Sequence, residues 1–247
     1  MSTNISKTTP KITVKIWRPI LEKLDVKLDA ACLRRDAYLI RLLEGEIDYL
    51  DKEVSIPNSQ ASYAHVAKQL DHFDRKPVSL ALPSELTSRL NEICDRKRIV
   101  RDAFFNRLFL LLAASPKTID KLFLLDDDWR TNVWIEWKHD GPFFQNGFYP
   151  LEASIDPFWA IRAALDINAE DTGADEAIDS PNGKSRKVMH LLNTMSPAAS
   201  VYANVFTTKV DQHNLIGLSC SLPDWQIPGH KAETEMRRTL DDLIGDL

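Results

Sequence analysis

The sequence predicts a mainly α-helical N-terminal half organised around a two-stranded β-ribbon, followed by an α+β C-terminal domain. Three observations carry this expectation. Residues Lys11 to Ile16 alternate strictly between polar and apolar side chains. The alternation returns 66 residues later, with Val78, Leu80 and Leu82 as its apolar positions. After each stretch come two apolar patterns of helical period, separated by a basic break.

Residues 1–10 are Ser/Thr-rich, end at Pro10 and are expected to form a flexible arm, with Lys7 able to reach a phosphate backbone. Residues 11–50 form the first copy of the repeat. Its strand puts Ile12, Val14 and Ile16 on one face and Lys11, Thr13 and Lys15 on the other, because strand side chains alternate. Pro19 opens a helix, since the first helical position does not use its N–H, and Ile20, Leu24 and Leu28 follow at helical spacing. Arg34 and Arg35 mark the break. A second helix runs over Ala37–Tyr49, with Gly45 expected to bend it or end it early. Residues 51–74 form a linker: "SIPNSQ" reads as a turn and "ASYAHVAKQLDHF" as an amphipathic helix.

Residues 75–116 form the second copy. Pro77, Ser79 and Ala81 take the places of Lys11, Thr13 and Lys15. Pro83 and Ser84 open a helix through Leu86, Leu90 and Ile93. Asp95 to Arg98 ("DRKR") is the break, and Arg101–Ala113 the second helix. Identities extend beyond the pattern: Arg35-Asp36-Ala37 matches Arg101-Asp102-Ala103, and Leu24, Arg41 and Leu42 match Leu90, Arg107 and Leu108. Pro19 and Pro83 are two positions out of step, which predicts that the strand-to-helix turns differ. Two copies are too few for a solenoid, so duplication of a small unit is the simpler account.

On these residues each unit resembles the ribbon-helix-helix (MetJ/Arc-type) DNA-binding family. "VSLALPSELTSRLNEI" followed by "IVRDAFFNRL" carries the likeness, and the first copy matches less closely. One such unit has an unpaired strand and too small a core, which explains a family that folds as intertwined dimers. The resemblance implies a tandem pseudo-dimer within one chain, its strands paired antiparallel and laid in the major groove of double-stranded DNA. The alternative is pairing of each unit with its counterpart in another chain. The groove-facing positions become Lys11, Thr13, Lys15 and Ser79. Pro77 and Ala81 are poorer readers, which implies an asymmetric operator or a ribbon that no longer reads DNA. The second-helix N-termini, at Leu33–Arg35 and Ile99–Arg101, are implied to hold phosphates. Arg34 and Val100 replace the usual Ser or Thr cap, and Arg34, Arg35, Lys97, Arg98 and Arg101 are the cations to offset that loss.

Charge agrees with a division of labour. Residues 1–113 carry 19 Lys and Arg against 15 Asp and Glu, whereas residues 114–247 carry 12 against 21. The N-terminal stretch has no signal-peptide apolar region and no apolar run reaches membrane-spanning length, so a cytoplasmic protein is expected. Cys32, Cys94 and Cys220 have neither disulfide nor zinc spacing, and His65 and His72 find no further ligands. There is no phosphate loop, nucleophile elbow, cofactor motif or metal set, so no enzyme and no cofactor are expected.

Residues 117–247 predict strands at 132–137, 200–210 and 214–222, helices at 156–167 and 230–247, and an acidic disordered loop over 168–185. This half holds five of the six tryptophans, for which core packing is the first reading. Asp126-Asp127-Asp128 reads as a solvated loop or helix start. The functional expectation is a sequence-specific transcriptional regulator, a repressor, whose C-terminal domain oligomerises or senses. The alternatives are an antitoxin-type protein that binds a protein partner through its acidic half, or a plasmid relaxosome accessory factor.

Overall fold

The fold is described from a computed structural model, over residues 11–123, 125, 156–165, 200–202 and 215–227. The strand expected at 132–137, the acidic loop, the C-terminal helix, Asp126–Asp128 and the arm at 1–10 lie outside these residues. The elements are β1 (Lys11–Trp17), α1 (Arg18–Ala30), α2 (Arg35–Glu53), α3 (Gln60–Leu70), β2 (Arg75–Ala81), α4 (Ser84–Lys97), α5 (Arg101–Ala113) and α6 (Pro116–Phe123). A short helix at residues 159–165 and single 3₁₀ turns at Ile216–Leu218 and Asp224–Gln226 follow.

β1 and β2 pair antiparallel as a two-stranded sheet within the chain. Lys11 lies opposite Ala81, Thr13 opposite Ser79 and Lys15 opposite Pro77. Thr13 and Ser79 are also repeat equivalents, so the register puts a local two-fold axis through that pair. Val14, Ile16, Val78 and Leu80 are buried beneath the ribbon, while Lys11, Thr13, Lys15, Pro77 and Ser79 are exposed above it. The helices obey the same axis. α1 packs on α5 and α2 on α4, so each helix pair joins one copy to the other. Leu24, Leu42, Leu90, Phe104, Phe105 and Leu108 meet in one core, where the Phe104 and Phe105 rings lie 5.3 Å apart.

The repeat is more faithful in backbone than in side chain. Despite the offset prolines, α1 and α4 start 66 residues apart, at Arg18 and Ser84. Their N-caps, Trp17 (φ −58°, ψ 120°) and Pro83 (φ −55°, ψ 142°), share a conformation proline can adopt, so the turns do not differ as expected. Cys32 (φ 55°) and Arg98 (φ 50°), also 66 apart, are the left-handed non-glycine residues among those described. Around each, the same two bonds close the helix. Cys32 and Leu33 donate to the carbonyls of Asp29 and Leu28; Arg98 and Ile99 donate to those of Asp95 and Cys94.

Two expectations are corrected. α2 does not end early at Gly45 but runs on to Glu53. Leu42, Leu43, Ile47 and Leu50 bury its inner face, and that packing outweighs the glycine. Nothing lies within 4 Å of where a Gly45 Cβ would be. Gly45→Ala is therefore expected to stabilise the protein by about 1 kcal/mol, the helix-propensity difference, read as a raised urea midpoint at unchanged slope. The strand expected at 214–222 is instead a 3₁₀ turn followed by extended chain. Residues 216–222 are buried without alternation, which one face of a strand cannot achieve. A Cβ on Gly217 would stand 2.6 Å from the Phe73 ring and 2.9 Å from the Leu70 amide nitrogen, so glycine lets this segment seat on the end of α3. The linker at 51–74 is also more ordered than a connection needs to be: Ser59 caps α3 by accepting the Ser62 N–H at 3.0 Å.

Candidate nucleic-acid interface

The outer ribbon face assembles the four expected base readers. Lys11, Thr13, Lys15 and Ser79 are all exposed on it, and the burial of the opposite face fixes which side they take. Lys11 and Lys15 belong to one strand but lie at opposite ends of the ribbon, roughly 13 Å apart at the rise of a β-strand. Opposite Lys11 and Lys15 stand Ala81 and Pro77. On the outer face one exposed lysine therefore stands on each side of the Thr13–Ser79 pair, and the charge is more evenly spread than the strand sequences alone imply.

The helices below pin the ribbon by side chain. The Asp36 carboxylate accepts the Ala81 N–H at 3.1 Å. The Arg101 guanidinium donates to the Thr13 carbonyl at 3.4 Å and to Asn91 Oδ1 at 3.3 Å, so it braces the strand from beneath. Asn106 is fully buried, accepts the Trp17 N–H at 2.7 Å and donates to the Lys15 carbonyl at 2.8 Å. Ile40 holds the equivalent place in the first copy, and no repeat identity marks Asn106.

The two basic breaks differ. At the first, Leu33 and Arg34 are exposed, Arg34 stands at the α2 N-cap, and no side chain caps the helix. Arg35 lies 3.7 Å from the Asp25 carboxylate and 3.4 Å from that of Asp36. At the second break, Lys97 is buried and closes the C-terminal end of α2. Its ammonium donates to the carbonyls of Asp51 and Val54 and pairs with the Asp51 carboxylate at 2.9 Å. Bonds from Arg96 and Lys97 hold the Asp51 carboxyl below the usual aspartate range. Lys97 thus serves the fold and does not face outward. Arg98 is exposed, and its guanidinium donates to the Asn58 carbonyl at 3.2 Å.

A buried polar cluster that sequence reading missed joins α2 to the later segments. The Arg162 guanidinium donates to Glu46 (2.7 and 3.2 Å), Glu53 (2.8 Å) and Asp156 (2.7 Å), and lies 3.6 Å from the Tyr49 ring centroid. The Tyr202 hydroxyl donates to Glu46, and its N–H to Glu53 at 3.1 Å. Burial pushes the Glu46 carboxyl above the usual glutamate range, and the bonds from Arg162 and Tyr202 pull against it. Arg107 is buried too, donates to the Val201 carbonyl, and is held below the usual arginine range by desolvation. The signal available in sequence was a charge on a buried stripe: Glu46 lies four residues from both Leu42 and Leu50.

Among the described residues, no group of three or more His, Cys, Asp or Glu is placed to hold a metal ion, and no helix is long and apolar enough to cross a membrane. The chain matches no protein-family model, no curated protein and no solved structure with which it was compared.

Proposed function

We propose that the protein is a single-chain ribbon-helix-helix pseudo-dimer that binds double-stranded DNA and regulates transcription as a repressor. The observation that carries the reading is the register: a two-fold axis through Thr13 and Ser79, with the polar faces of both strands exposed together. A two-stranded ribbon fits the major groove. Lysine donates to guanine O6 and N7, and Thr13 and Ser79 at the centre can donate, accept or touch a thymine methyl. Arg34 and Arg35 beside the uncapped α2 N-terminus suit phosphates. The charge contrast between the halves supports DNA contact by the first and, as a second reading, a basic protein partner for the second.

Selection from a random DNA pool tests the proposal. An enriched motif is expected, with affinity that falls steeply as salt rises. Lys15→Ala should lose about 1–3 kcal/mol of discrimination at one base pair while binding random DNA nearly as before. Arg34→Ala should weaken binding to every sequence and flatten the salt dependence by about one unit of slope. A pool without enrichment, together with no salt-dependent binding, would leave the protein-partner reading in place of this one.

A further inference from the structure

We propose that the protein grips DNA at one end of its ribbon only. α3 and residues 215–227 close the turn between α4 and α5, and among the described residues nothing closes the turn between α1 and α2 to a DNA backbone. The inference rests on the DNA-binding reading and adds an orientation to it.

Equivalent positions of the two copies differ in exposure. Ile99 is 2% exposed, whereas its equivalent Leu33 is 45% exposed. Ala103, in the first turn of α5, is completely buried, whereas Ala37 in the first turn of α2 is exposed. What covers Ala103 is a second apolar cluster, made by Val66 and Leu70 of α3 with Ile216, Leu218, Leu222 and Ile227; Val100 packs against it. No described segment stands in the corresponding place over Ala37.

Polar bonds lock the cover down. The Asn58 side chain donates to the carbonyls of Arg98 (3.0 Å) and Cys220 (2.9 Å) and accepts the Leu222 N–H (2.9 Å), while its backbone N–H donates to the Lys97 carbonyl (2.9 Å). The Ser62 hydroxyl lies 2.6 Å from the Leu222 carbonyl and 2.8 Å from the Asp224 carboxylate, and can donate its one proton to either. One linker residue thus ties the C-terminal segment to the very turn that a second phosphate anchor would use. The cations there are also engaged. Lys97 is buried against α2, and Arg98 reaches back to Asn58. Arg75, at the Lys15 end of the ribbon, is held between Asp71 (2.5 Å) and Asp102 (3.6 Å). Those carboxylates repel a phosphate. At the Lys11 end, Lys11 and Arg34 are exposed, and Arg35, about one-third exposed, lies 3.4 Å from Asp36 and 3.7 Å from Asp25.

Phosphate-ethylation interference on the selected DNA site decides the matter. Expected is interference on one side of the ribbon centre only, abolished by Arg34→Ala together with Arg35→Ala. Those two changes should lower affinity at least tenfold, and Arg98→Ala less than twofold. Gly217→Val, by unseating the cover, should add interference on the second side; where that variant unfolds, Asn58→Ala serves instead. Interference of equal strength on both sides of the wild-type centre, or an Arg98→Ala loss as large as the double change, overturns the one-ended grip while leaving DNA binding intact. Absence of any DNA binding overturns both.

Discussion

Arg162→Ala is expected to cost about 3–5 kcal/mol of stability, the range for breaking a buried ion pair by removing one partner. Arg162 is 13% exposed in its side chain, and it faces Glu46 (1%), Glu53 (11%) and Asp156 (23%). Desolvation opposes its charge, but the bonds to Glu46 and Glu53 more than offset that and raise its pKa above the ordinary value. Without the guanidinium, Glu46 keeps only Tyr202 in an apolar site and must either stay charged there or take up a proton. The pH dependence follows in sign. A carboxyl whose folded pKa lies above its unfolded value contributes most below the unfolded value, and that contribution is lost as pH rises through the folded one. Removing Arg162 raises the folded value further, so the destabilisation should be smaller at pH 5 than at pH 8. Urea unfolding at the two pH values measures this. A loss below 1 kcal/mol, equal at both, would show that the cluster does not hold the later segments to α2. Glu46→Gln should cost less, because the amide keeps the shape while Arg162 retains Glu53 and Asp156.

The N-terminal half was legible where packing writes a period into the sequence. The alternation of Ile12, Val14 and Ile16 set the ribbon's faces, and the match of Leu24 and Leu42 with Leu90 and Leu108 marked the repeat whose core they share. Readings went astray where one residue's meaning depends on a distant neighbour. Lys97 sits in a run of charges that looks solvated, but its place in the last turn of α4 aims it at the end of α2. Gly45 reads as a helix breaker, yet α2 holds on the opposite face. Residues 216–222 alternate in sequence like a strand, yet all of them are buried, with Asn58 and Ser62 meeting their backbone groups. The Asn58–Cys220 bond spans 162 residues, and no local pattern encodes it. The candidate interface was legible in the same degree. The outward-facing strand positions follow from alternation, but the closure of the second turn depends on a contact from the far end of the chain.

Asn106→Leu is the second large effect, expected to cost about 2–4 kcal/mol. The substitution keeps the number of side-chain heavy atoms but adds bulk, so overpacking adds to the loss of hydrogen bonds. Leucine can neither accept the Trp17 N–H nor donate to the Lys15 and Asp102 carbonyls. Each buried backbone group left unpaired costs roughly 1–3 kcal/mol. The Asp102 carbonyl is least affected, because it lies in the α5 backbone ladder. The damage therefore falls on the Trp17 end of β1, where Arg18 bonded to Asp74 remains as a hold. Faster amide exchange at Trp17 than at Ala81, whose N–H is held by Asp36, should accompany the lower stability. Asn106→Asp should cost no less, since a carboxylate can accept from Trp17 but stands buried, charged and unpaired against the Lys15 and Asp102 carbonyls. Unchanged stability and uniform exchange across the ribbon would mean that strand pairing alone fixes β1. If the bonds hold as described, loosening them blurs the position of Lys15 while leaving Lys11 and the Ala81 end pinned. The DNA preference lost would then be that of the Lys15→Ala protein, produced by a residue that never reaches the ribbon surface.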